Sequence, residues 1–71
     1  MKIYAIYYIN DCDGDYFMRR ADALNCGVEY IRQVGEEENW DLQETESLVD
    51  DFLHEEWVAG LCVLEEIEVK E

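Results

Sequence analysis

Apolar and polar positions along the chain fall into runs of distinct period. Residues 2 to 10 carry Ile3, Tyr4, Ile6, Tyr7, Tyr8 and Ile9, strand-forming side chains on both faces. A strand apolar on both faces belongs in the middle of its sheet. Asp13-Gly14 then gives a two-residue hairpin signal, because a type I′ turn needs φ > 0 at both central positions. Residues 15 to 20 are the return strand, in a register that pairs Ile9 with Met18 and Tyr7 with Arg20. Over residues 22 to 34, Leu24, Val28, Ile31 and Val34 recur at helical steps. Asp22 is the N-cap or first-turn acid of that helix and Gly35 its C′ residue. Gly27 lowers helix stability by about 1 kcal/mol relative to alanine, and marks a close approach to the sheet. Glu36 to Asn39 read as an exposed acidic linker.

A second helix follows over residues 41 to 56. Leu42, Thr45, Leu48, Val49, Phe52 and Leu53 share one side; Glu44, Asp51 and Glu55 form a stripe on the other. Ala59-Gly60 ends the helical pattern. Residues 61 to 69 alternate, with Leu61, Val63, Ile67 and Val69 on one face and Glu66 and Glu68 on the other, which predicts a last strand with one wet side. The expected fold is α+β, a single domain over residues 1–71 in the order β-β-α-α-β. Its three-stranded antiparallel sheet has the first strand in the middle and both helices packed on one face. Leu24, Val28, Ile31, Leu48, Phe52 and Ile67 are the expected core.

A chain of 71 residues buries a modest fraction of its surface. Two Trp, two Phe and five Tyr supply large rings for a core or for a partner. Charge changes the picture more: 19 Asp and Glu face five Lys and Arg, a net charge of −14. Such a surface repels nucleic acid and anionic membranes and attracts basic proteins. Cys12, Cys26 and Cys62 are odd in number and lack CxxC spacing, which points to free thiols in a reducing compartment. No apolar run approaches a membrane span, and the opening residues do not form a signal peptide, so the cytoplasm is the expected location.

Catalytic material is scarce. His54 and Ser47 share a polar helix face without a nucleophile elbow or oxyanion loop, and His54 lies among acids, Asp50 and Asp51. Asp11, Asp13 and Asp15 match the start of a calcium loop, but Tyr16 stands where the loop needs glycine, so an acidic hairpin tip is the expectation. The cysteines and His54 match no zinc spacing, and phosphate-binding glycine motifs are absent. The expectation is therefore a non-enzymatic protein without metal or cofactor.

What is left is the distribution of acids: the hairpin tip, the linker (Glu36, Glu37, Glu38, Asp41) and the outer face of the second helix (Glu44, Asp51, Glu55). A net charge of −14 equals that of about 24 Å of duplex DNA. A domain of this length has an expected radius of gyration of about 11 Å, so size and charge suit a short DNA segment. Trp40 and Trp57 are the candidate anchors beside the acids, since Trp is enriched in interface hot spots. The ordinary alternatives are a solvated acidic face and core tryptophans.

The opening Lys2-Ile3-Tyr4-Ala5-Ile6-Tyr7-Tyr8 and the ending Leu64-Glu65-Glu66-Ile67-Glu68-Val69 resemble small acidic proteins of phages and mobile elements. In brevity and charge the chain is similar to anti-CRISPR and other anti-defence inhibitors. The resemblance implies a host-directed inhibitor that binds a basic, nucleic-acid-binding protein surface in a bacterial cytoplasm, and supplies no site residue of its own. The rival reading is a regulatory or structural module that binds its partner, or a second copy of itself as a homodimer, through the sheet.

Overall fold

The computed structural model describes residues 1–9 and 14–70. Asp11, Cys12 and Asp13, and with them most of the expected acidic hairpin tip, lie outside the described residues. The elements are β1 (Lys2–Tyr8), β2 (Gly14–Phe17), α1 (Arg20–Glu37), α2 (Leu42–Glu55), β3 (Trp57–Val58) and β4 (Cys62–Glu68). The fold is α+β, with two helices and a four-stranded antiparallel sheet in the order β2-β1-β4-β3. β1 is central, as its two apolar faces predicted. The sheet has four strands and not three, because Trp57-Val58 turns back on β4.

That extra hairpin has local causes. α2 stops at Glu56, whose φ of 61° is left-handed and whose N–H still donates to the Phe52 carbonyl at 2.7 Å. Trp57 and Val58 then pair with Val63 and Cys62. Between the strands the Leu61 N–H donates to the Val58 carbonyl at 3.1 Å, and Gly60 holds φ 81°, the value a type II turn requires at its third position.

The first hairpin differs from expectation in register. Tyr7 faces Gly14 and Tyr4 faces Phe17, so Ile9–Met18 and Tyr7–Arg20 are not pairs, and Arg20 opens α1. Gly14 lies inside β2 without a positive φ. Its side-chain hydrogen is demanded by crowding: a Cβ there would sit 2.8 Å from Tyr7 Cδ1 and 2.9 Å from the Ile6 carbonyl oxygen. Asp15 likewise belongs to β2, where its carboxylate accepts a hydrogen bond from Tyr8 at 2.8 Å.

Pleating sends Tyr4, Ile6, Tyr8, Phe17, Val58, Cys62 and Leu64 toward the helices, where they meet Ala23, Ile31, Val49 and Phe52 in the core. α1 packs across β1, β2 and β4, while α2 packs on α1 and on β3. Of the six expected core residues, Ile31 and Phe52 are fully buried; Leu24, Val28 and Leu48 are half-buried at the core's margin. Ile67 is a correction. Register puts Cys62 and Leu64 inward, so Val63 and Ile67 point away from the helices. Glu66 shares the helix side, but at an end the helices do not cover, where it pairs with Lys2 at 3.6 Å.

Helix packing explains two glycines. A Cβ on Gly27 would lie 2.3 Å from Phe52 Cζ, so the close approach is to α2 and not to the sheet. A Cβ on Gly35 would lie 2.7 Å from Thr45 Oγ1. Gly35 is thus inside α1, not at its C′ position, and Glu36 and Glu37 extend the helix through what was expected as linker. The C′ residue is Asn39, at φ 60°. Its N–H donates to the Glu36 carbonyl at 3.2 Å and that of Trp40 to the Gly35 carbonyl at 2.8 Å, the two bonds of a Schellman motif.

Candidate protein-binding surface

The acids singled out above occupy the turn between the helices and one side of α2. Glu36 and Glu37 are the last helical residues of α1, Glu38 is its C-cap, and Asp41 is the N-cap of α2. All are exposed, as are Glu44, Asp51 and Glu55. On α2, Glu44, Asp51 and Glu55 fall within about 60° of one another around the axis and span about 16 Å along it. Leu48 lies midway along this stripe, half-buried between it and the core residues against which it packs. The core side of α2 is narrower than expected: Thr45, Val49 and Phe52 are buried, whereas Leu42 and Leu53 are exposed.

Two shallow hollows meet at Leu48. One, of about 420 Å³, is lined by Asp41, Gln43, Glu44, Ser47 and Leu48. The other, of about 370 Å³, is lined by Leu48, Asp51, Glu55, Trp57, Val58 and Ala59. The fold thus brings Asp41, Glu44, Asp51, Glu55 and Trp57 into one continuous strip. Trp57 is 52% exposed, a ring free to meet a partner. Trp40 is elsewhere: half-buried, with its ring against Gly35, it lines a separate hollow of about 220 Å³ with Glu36, Leu42 and Glu46. Glu37 and Glu38 line none of these three hollows.

Among the described residues, three of the five Lys and Arg, and the N-terminal amine, pair with other acids. Arg32 reaches from α1 to both carboxylate oxygens of Glu46, at 3.1 and 3.2 Å. Arg20 pairs with Glu56, Lys2 with Glu66, and the N-terminal amine with Glu68 at 3.9 Å. Among the described residues, none of Glu36, Glu37, Glu38, Asp41, Glu44, Asp51 and Glu55 has an ion-pair partner. The strip therefore carries its full negative potential outward.

A second surface lies on the sheet, the element through which the rival reading has the chain bind, though none of its residues except Trp57 is singled out as a site from the sequence. On the sheet face away from the helices stand Ile3, Ala5, Tyr7, Tyr16, Trp57, Val63 and Ile67, with Glu65 among them. Tyr16 is 59% exposed, and Tyr7 packs edge-on against it with ring centroids 6.3 Å apart. The hydrogen bond with Tyr16, then desolvation, then the charges of Tyr16 and Glu65, raise the Tyr7 hydroxyl above its ordinary pKa. The alternation in residues 3, 5 and 7 was a signal for this face, but nothing in the sequence tells which apolar face the helices take.

Inside, Tyr8 stacks at 4.5 Å on Tyr30, and its hydroxyl lies 3.0 Å from Cys26 Sγ. Burial, then the hydrogen bonds with Cys26 and Asp15, hold that hydroxyl protonated well above the usual tyrosine range. Burial first, and the neighbouring Cys26 second, push the Cys62 thiol up to about 11. Cys26 and Cys62 are free thiols; Cys12 lies outside the described residues. His54 Nδ1 is 2.8 Å from the Asp50 carbonyl oxygen, a contact within its own helix. Among the described residues no group of three or more His, Cys, Asp or Glu side chains is placed to hold a metal ion. No helix in them is long and apolar enough to cross a membrane. No protein-family model, curated protein or solved structure matches the chain.

Proposed function

We propose that this chain is a non-catalytic binding protein that occupies a basic, nucleic-acid-binding surface of another protein, as the anti-defence inhibitors it resembles do. The observation that carries the reading is the strip of exposed acids without ion-pair partners among the described residues, Asp41, Glu44, Asp51 and Glu55, that runs along α2 to Trp57, with the equally exposed Glu36, Glu37 and Glu38 preceding it in sequence at the end of α1. Carboxylates there stand in for phosphates opposite Lys and Arg, with charge-assisted hydrogen bonds stronger than neutral ones. Leu48 and Trp57 supply the apolar contact.

The molecule's shape refines the partner. Its radius of gyration is 12.5 Å and its long axis 45 Å, longer than the compact domain expected from length. A charge of −14 over 45 Å is one per about 3.2 Å. Duplex DNA carries one per about 1.7 Å, and each of its strands one per about 3.4 Å. The chain's charge density is that of one strand. The fitting groove is therefore one that tracks a single strand, where cations line the backbone path and aromatic rings the base path.

The test is displacement of fluorescein-labelled single-stranded DNA from a panel of CRISPR effector proteins, at about 50 and about 300 mM salt. Displacement from a member of the panel at low salt, weakening steeply at high salt, supports the reading. Converting Glu36, Glu37, Glu38 and Asp41 to Gln or Asn, or Glu44, Asp51 and Glu55 likewise, then raises the concentration needed at least about tenfold, although single rim pairs contribute below about 1 kcal/mol each. Unchanged displacement by both sets rejects it.

A further inference from the structure

We infer that the open face of the sheet is a second contact surface, built for an apolar patch of a partner protein with a basic side chain at its centre. The inference rests on the preceding reading in one respect, that the partner is a basic protein. Apolar and aromatic side chains dominate this face: Tyr7, Tyr16, Trp57, Val63 and Ile67 stand on it, and among the described residues no helix covers it.

The chemistry of the occupant follows from Glu65. It is the one charged residue in the paired register of this face, in the same row as Ala5 and Tyr16, and it forms no ion pair among the described residues. A purely apolar partner would bury this carboxylate without compensation, which is strongly unfavourable. A guanidinium or ammonium group set in an apolar patch satisfies it. A second copy of the chain does not fit. Face-to-face pairing would bring two Glu65 carboxylates into one apolar interface between chains of charge −14 each. The four strands, of seven, four, two and seven residues, cover only about 320 Å² at about 3.3 Å per residue and about 4.8 Å per strand. A stable dimer buries about 800 Å² on each partner.

A larger partner is not limited to that area, because the two surfaces are continuous. Trp57 belongs both to the open face, opposite Val63, and to the hollow it shares with Asp51 and Glu55. A partner whose basic groove lies along α2 therefore reaches round Trp57 onto the sheet. The acids supply long-range attraction; the sheet face supplies the short-range match that selects one basic protein over another.

Three probes separate these contributions in NMR titrations of the full ¹⁵N-labelled chain: phenylbutylguanidinium, phenylbutanol and methylguanidinium. The expected result is saturable shifts at the amides of Tyr16, Val63 and Glu65 with phenylbutylguanidinium, at a Kd at least about tenfold below that of phenylbutanol. Glu65→Gln removes the discrimination, and Tyr16→Ala with Trp57→Ala removes binding of both at the face. Both rings are exposed, so that pair of substitutions spares the core. Shifts confined to α2, matching those of methylguanidinium, overturn the proposal and leave the acidic-strip reading intact. So does a dimer in sedimentation velocity that Tyr16→Ala dissolves. Face binding that persists while the α1–α2 amide substitutions leave DNA displacement unchanged supports the face and rejects the strip.

Discussion

Replacing Gly27 with alanine sets two energies of opposite sign against each other. Helix propensity alone favours alanine over glycine by about 1 kcal/mol in a helix interior. Packing opposes it, because the added methyl carbon would lie 2.3 Å from Phe52 Cζ and 2.4 Å from Cε2. Carbon atoms in contact sit about 3.5–4.0 Å apart, so one helix or the ring must move by more than 1 Å. Phe52 has no room to yield, being fully buried among the core side chains that join the two helices to the sheet. Overpacking of this kind costs about 1–3 kcal/mol, and more where the neighbour is rigid. The expected net effect is a loss of about 1–2 kcal/mol, read as a lower urea midpoint by far-UV circular dichroism with an unchanged slope. Phe52→Leu removes the ring atoms that collide. In its background Gly27→Ala costs less, with a coupling of about 1–2 kcal/mol in a double-mutant cycle. Stabilisation by Gly27→Ala in the wild-type background would refute the close helix contact and the placement of α2 with it.

Asn39→Gly gains a few tenths of a kcal/mol, because φ 60° at the C′ position suits glycine better than any side chain; a loss measured by thermal unfolding would contradict the Schellman geometry. In a Cys12→Ser background at pH 8, Cys62 reacts with a thiol reagent about a hundredfold more slowly than a free cysteine, since its thiol, pushed up to about 11, supplies that much less thiolate; mass spectrometry of a partial reaction that finds Cys62 labelled as fast as in denatured protein would contradict its burial. The raised Cys62 also implies that stability is intact below about pH 9 and falls between about 9 and 11, as the unfolded chain ionises first; a Cys62→Ala chain whose urea midpoint falls as much as wild type over that window would remove this cause. Glu36→Gln, Glu37→Gln and Glu38→Gln together raise stability by about 1–2 kcal/mol at low salt and by less at high salt; a loss of stability in urea titrations would mean that these acids hold the fold.

Period carried most of what was legible. The helical steps of Leu24, Val28 and Ile31, and the strand composition of residues 3 to 9, led to the observed order of elements but for β3, and to the right central strand. Two kinds of information were not in the pattern. The first was glycine's role: Gly14 and Gly35 looked like turn and helix-end signals and Gly27 like a close approach to the sheet, and all three answer to a neighbouring atom that only tertiary packing brings close. The second was facing. Cys62 and Leu64 compete with Val63 and Ile67 as apolar sets of β4, and Glu66 and Glu68 favoured the wrong one. A slip of one residue exchanges the two faces of a strand, so this ambiguity hid the open aromatic surface. Trp57-Val58 was too short a strand to show any period. The acidic residues were legible as exposed, but their joining into a strip through Leu48 and Trp57 needed the turn at Glu56.

The position of Glu36, Glu37 and Glu38 bears on whether that strip is more than a solvated surface. A helix presents the negative end of its dipole at the C-terminus, where cations stabilise and acids destabilise by about 0.3–1 kcal/mol each. α1 has no basic residue in its last turn, and three consecutive glutamates stand there instead. Lysine in the same places would leave a net charge of about −8, still far from zero, and would add to stability at the helix end. No ion pair offsets these glutamates among the described residues; Glu37 accepts only a long hydrogen bond from Gln33, at 3.4 Å. Arg32, one turn earlier, is committed to Glu46 on α2. Where a chain breaks a local rule of stability without a local compensation, the gain is sought in function. For a protein this small, with little stability to spare, acids held at the wrong end of a helix support the proposal of a basic partner that neutralises them.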